Sequence, residues 1–161
     1  MASPLISVTS KEINGLTAVL GRMERVNQRA ATRHERMGMN NQAKNVVSRK
    51  TGKLITGNDT SSYFDLANLD YQWTDQLSTS YSFGRLKDIY KQHVVNAVHA
   101  WPLGEKRSLK TDIRVSRSTR DGDARVDNKA FSGMLTYGFG FNKLGLGYRS
   151  MTGKTGYAYV L

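Results

Sequence analysis

Lys110, Arg114, Arg120 and Arg149 are the side chains whose type and spacing point most directly to chemistry. Three of them lie in residues 109–120, LKTDIRVSRSTR. Taken at every second position, one set is Leu109, Thr111, Ile113 and Val115, and the other is Lys110, Asp112, Arg114, Ser116, Ser118 and Arg120. A strand sends successive side chains to opposite faces, so this segment has one apolar wall and one charged wall. At helical spacing the apolar residues would scatter round the cylinder, so the strand reading wins. Cations at successive heights on one wall pass an anion along, provided each site captures it and still lets it go. The planar guanidinium fork suits a carboxylate, which it takes bidentately. The same parity places Arg149 on the charged wall of residues 144–151, with Arg120 nearer one mouth. The ordinary alternative is that these cations are solvated, or paired with Asp112 and Asp70.

Other chemistries find less support. His93 and His99 share a strand face six residues apart, but no third ligand clusters with them, so no metal site is expected. Gly153-Lys154-Thr155 matches the end of a phosphate-binding loop, yet the glycine needed five positions earlier is Tyr148 and no helical pattern follows. No segment offers a nucleophile elbow. Neither an enzyme nor a cofactor is therefore expected.

The elements that must hold the cations are strands. Residues 4–10 and 16–26 read as a hairpin around Asn14-Gly15, a strong turn signal. Residues 63–73, 77–83, 130–139 and 144–151 alternate as 109–120 does, and 93–101 does so with weaker contrast, Val95, Ala97, His99 and Trp101 against Val94, Asn96, Val98 and Ala100. Between them, short connections (11–15, 74–76, 102–108, 140–143) take turns with longer ones (27–62, 85–92, 119–129, and 152 onward). About eight antiparallel strands with short turns at one end and long loops at the other describe an up-and-down transmembrane β-barrel. Tyr71, Trp73, Trp101, Tyr137, Phe139 and Phe141 lie near strand ends, where an aromatic girdle meets the lipid interface. A soluble eight-strand barrel of the lipocalin type would need the apolar set to point inward instead.

The chain has 161 residues, no cysteine, and a formal net charge of +11. That charge favours anionic partners. No apolar run reaches the length of a membrane helix, which leaves strand-built barrels open. The N-terminus, MASPLISVTSKE, lacks the pattern of a secretory signal. Residues 27–62 are polar and basic, and Arg22, Arg25, Arg29, Arg33 and Arg36 recur at helical spacing. That run supports an alternative: a basic nucleic-acid-binding module using residues 22–53, with an amphipathic helix near its start.

With its segments in place, the chain resembles the OprD family of outer-membrane porins. The resemblance is carried by SVTSKEINGLT (7–17), LKDIYKQH (86–93), WPLGEKRSLKTDIRV (101–115), DNKAFSGMLTYGFG (127–140) and LGLGYRSMTGKTGYAY (144–159). It implies a monomeric eighteen-stranded barrel integral to the bacterial outer membrane, with lipid as its surroundings and no nucleic-acid partner. It also implies passage of small anionic or zwitterionic solutes, such as amino acids and organic acids, past basic residues of the lumen wall. On this resemblance residues 1–161 form a partial barrel, roughly the sixth to thirteenth strands. Residues 27–62 are then a long external loop, residues 63–161 the regular strand-turn-strand region, and the main constriction loop precedes Pro4. Eight strands of so wide a barrel are expected as a curved open sheet or a distorted closure.

Overall fold

The computed structural model describes residues 6–13, 15–26, 35–38, 45–47, 54–56, 60–122 and 126–155. Eight strands form one antiparallel sheet: β1 (Ile6–Ile13), β2 (Leu16–Met23), β3 (Phe64–Thr74), β4 (Leu77–Leu86), β5 (Tyr90–Gly104), β6 (Arg107–Arg120), β7 (Asp127–Phe139) and β8 (Asn142–Gly153). Each strand pairs with its neighbours in sequence, so spatial order and chain order coincide. Among the described residues β1 and β8 have one partner strand each, which makes the sheet open.

The strands are longer, and their connections shorter, than the sequence pattern suggests. At one end, Asp75-Gln76, Glu105-Lys106 and Gly140-Phe141 are two-residue turns. Gly15, after Asn14 between β1 and β2, takes φ +79°, which an L side chain adopts only with strain. At the other end, the connection expected over 85–92 is only Lys87-Asp88-Ile89, and that expected over 119–129 contracts to 121–126. Residues 24–63 separate β2 from β3. Within them Glu35–Gly38 pairs with Arg25–Val26 and with Thr60–Ser61, and Asn45–Val47 pairs with Leu54–Thr56. Helix is therefore replaced by strand at 22–23, 25–26 and 35–37, and residues 27–34 of the helical expectation lie outside the described residues.

Register carries the two walls across the sheet. Ala18, Leu69, Tyr81, Val95, Val115 and Phe131 pair in succession on one face. One level nearer the turns run Leu16, Tyr71, Thr79, Ala97, Ile113, Gly133 and Tyr148. This face is open: Val95, Ile113, Leu135 and Leu146 are all exposed, Leu146 at 75%. A large apolar side chain left in water forfeits about 1.5–3 kcal/mol. A continuous face of them calls for lipid and rules out the inward-pointing lipocalin arrangement.

Polarity reverses where the strands reach the loop end. On the apolar face Leu20, Ala67, Phe83 and His93 form one more level above Ala18 and Leu69, and the level beyond that is Arg22, Asp65, Arg85 and Lys91, in register across β2 to β5. On the opposite face Met23, Phe64, Leu86 and Tyr90 pair instead. Leu86, Ile89, Tyr90 and Val126 are buried there, with Met23, Tyr63 and Phe64 packed against them. The compact apolar core thus sits under the loops, while the middle of the sheet is apolar on one side and polar on the other.

Candidate functional site

The polar face is built from one register row. Thr17, Asp70, Ser80, Asn96, Arg114, Ser132 and Arg149 pair in succession from β2 to β8. Strands lie about 4.8 Å apart, so Arg114 and Arg149, either side of Ser132, have backbones about 10 Å apart. They border a concavity of about 360 Å³ with Ser116, Ala130 and Ser132. A second concavity, of about 430 Å³, lies along the same row and is lined by Thr17, Asp70, Gln72, Ser78, Ser80 and Asn96.

The carboxylates of this face are engaged by amides. Asn68 donates its Nδ2 to Asp70 and accepts from Ser82 Oγ. With its amide turned to satisfy both neighbours, Asn96 donates to Asp112 Oδ1 and to the Ile113 carbonyl, each at 2.9 Å. Among the described residues the ion pairs are Arg22–Asp65, Arg85–Asp121, Lys91–Asp121 and Arg117–Asp127. None involves Lys110, Arg114, Arg120 or Arg149, so pairing with Asp112 or Asp70 is not what the structure holds. Lys110 is four residues from Arg114, about 13 Å along the strand, and Arg120 is six, about 20 Å. Lys110 lies toward the turns and Arg120 at the loop end, opposite Tyr90.

The predicted aromatic residues fall at the turn end. Trp73 donates its indole N–H to Thr79 Oγ1 at 2.9 Å and meets Tyr71 edge to face at 4.6 Å. Trp101 meets His99 edge to face at 4.0 Å, and Tyr137 stacks with Phe139 at 5.7 Å. His93 is held elsewhere, by a 2.7 Å hydrogen bond between Nδ1 and the Tyr81 hydroxyl. The two histidines are not brought together, and no metal-ligating cluster occurs among the described residues. Gly153-Lys154-Thr155 serves as a strand clasp: the Lys154 and Thr155 amides donate to the Asp127 carbonyl at 2.9 and 3.1 Å. Asn128 Nδ2 donates to the Thr155 carbonyl at 3.0 Å.

Sequence parity did not reveal the ionic knot at the loop end. Asp121 accepts from Arg85 Nε at 2.6 Å and from the Asp88 amide at 3.3 Å, and pairs with Lys91 Nζ at 2.9 Å. Burial works against ionisation of Asp121, but the hydrogen bonds from Arg85 and Lys91 outweigh it and hold the carboxyl below its usual range. The partners lie 30 and more residues apart in sequence, and only register brings them together.

Comparison with known proteins decides the class. The profile described as outer membrane porin, OprD family, matches residues 6–161. The chain belongs to the OprD family. Among its relatives, Porin D of Pseudomonas aeruginosa is 28% identical over 105 residues, covering 63% of this chain and 24% of that protein. Among solved porins, P. aeruginosa OpdQ is 44% identical with a TM-score of 0.83, over 98% of this chain and 41% of that one. P. aeruginosa OpdL is 31% identical with a TM-score of 0.80, over 98% and 40%. The chain therefore spans about two-fifths of the solved relatives' length and about a quarter of Porin D. Membership fixes the fold of an all-β outer-membrane porin barrel, embedded in lipid.

Proposed function

We propose that this chain supplies part of the wall of a passive, monomeric outer-membrane channel for small carboxylate-bearing solutes, with Lys110, Arg114, Arg149 and Arg120 as its guiding cations. In this reading residues 63–161 line the passage and residues 27–62 form an external loop. The observation that carries it is a set of basic side chains without carboxylate partners on the polar face, two of them in one row beside a concavity. Desolvating a solute carboxylate between two arginines is compensated by bidentate hydrogen bonds. The same row carries Asp70 further along, so a zwitterion meets positive and negative charge on one wall. Spacing Lys110, Arg114 and Arg120 along one strand favours transfer over capture, because no single site need bind tightly.

The test is planar-bilayer recording with Arg114→Gln and Arg149→Gln, singly and together. Anion-over-cation selectivity is expected to fall with each change. Flux of an organic acid is expected to drop about tenfold in the pair, the size of one lost charge-assisted contact. Unchanged selectivity and unchanged flux in the double variant would sink this reading.

A further inference from the structure

The apolar face ends at the loop end in a belt of cations that the channel reading leaves unused. Arg22, Arg85 and Lys91 occupy one level of it, in register with Asp65. Arg22 grips Asp65 through two hydrogen bonds, of 2.6 and 3.0 Å, and its guanidinium sits 4.1 Å over the Tyr63 ring. Lys87 lies 5.1 Å over that same ring. One level nearer the middle, Arg117 of β6 is the direct cross-strand partner of Lys129 of β7. Like charges directly opposite each other destabilise a sheet unless an anion joins them. Arg117 has an ion pair with Asp127 at 2.8 Å, while Lys129 is exposed and takes part in none of the ion pairs among the described residues. The belt thus holds six cations, Arg22, Arg85, Lys87, Lys91, Arg117 and Lys129, against the carboxylates Asp65, Asp121 and Asp127.

By parity the five strand cations stand on the lipid side, and Lys87 of the β4–β5 turn shares the Tyr63 ring with Arg22. Phe131 and Val115 lie two residues below Lys129 and Arg117 on the same face, at the top of the apolar band. The position is therefore that of lipid headgroups on the loop side of the membrane. We infer that the Arg117–Lys129 pair, flanked by the rest of the belt, binds the phosphate groups of a phosphorylated lipid headgroup in that leaflet. The lipid's acyl chains would lie along the apolar face beneath, so one molecule satisfies both surfaces. Inorganic phosphate shares the headgroup chemistry but gains nothing from the apolar face.

The test uses the protein extracted in mild detergent and titrated with lipid A, with dephosphorylated lipid A and with inorganic phosphate, read by native mass spectrometry. Lipid A is expected to bind, the dephosphorylated lipid and the free ion at least about tenfold more weakly. Lys129→Gln, which removes no ion pair among the described residues, is expected to weaken lipid A about tenfold, and Arg117→Gln with Lys129→Gln further. Lys143→Gln at the turn end is the control and leaves lipid binding unchanged. Equal binding of the dephosphorylated lipid, preference for the free ion, or unaltered binding by Lys129→Gln would each overturn the inference.

Discussion

Asp121 holds the loop end together by gripping the β4–β5 corner, through Arg85, the Asp88 amide and Lys91. Replacing it with Asn removes the charge that Arg85 and Lys91 share but keeps the size. The expected cost is about 1–2 kcal/mol, a charge-assisted hydrogen bond discounted for two partly exposed cations. The check is thermal unfolding in detergent micelles of D121N beside the parent. Because folding lowers this carboxyl's pKa, its contribution is complete above the unfolded carboxylate value and is lost as pH falls through the folded one. The stability gap between parent and D121N should therefore close on acidification below about pH 4. Gly122 next to it takes φ +86°, and a Cβ there would meet the Asp88 carbonyl at 2.8 Å, so Gly122→Ala should loosen the same knot.

For a strand, what matters is which wall a residue joins. Ile113→Lys puts a charge on the apolar face near its middle and should cost about 2–4 kcal/mol in a bilayer. Ser132→Lys, on the polar face between Arg114 and Arg149, should cost less than half as much and instead raise anion selectivity. Urea unfolding in lipid vesicles and bilayer conductance separate the two effects. The walls were legible in the sequence because alternation runs through the membrane-facing levels of β3 to β8, most weakly in β5, where Val94, Val98 and Ala100 join the polar side. Residues 85–92 were not. There Arg85 and Lys91 point to the side that is apolar elsewhere, and Leu86 and Tyr90 point to the side that is polar elsewhere. Strand geometry continues while the surroundings on each face exchange character, so a pattern that assumes fixed surroundings reports a break. The cations Lys110, Arg114, Arg120 and Arg149 were legible by parity. That Arg114, Ser132 and Arg149 share one level was not, since register between strands is absent from any single segment.

At the scale of the molecule, net charge and composition pointed to anions, and the order of short and long connections pointed to a barrel. The long arginine run did not become a helix at the residues described, because its neighbours offer strand partners at 35–38 and 60–61. The order of strands has a kinetic consequence. Between β3 and β8, and between β1 and β2, partners are separated by at most the six residues 121–126, so each pair zips soon after it meets. β2 and β3 must instead find each other across residues 24–63. Closing that loop costs about 2–3 kcal/mol more than closing a two-residue turn. Assembly should thus run as two preformed pieces, a hairpin and a six-stranded ribbon, joined last along β2. Excising residues 39–59 should speed that final step severalfold in stopped-flow refolding, and an unchanged rate would place the barrier elsewhere. The seam between β2 and β3 is then where a chain stalled during insertion exposes its unpaired backbone, and where assembly machinery has most to gain by holding on.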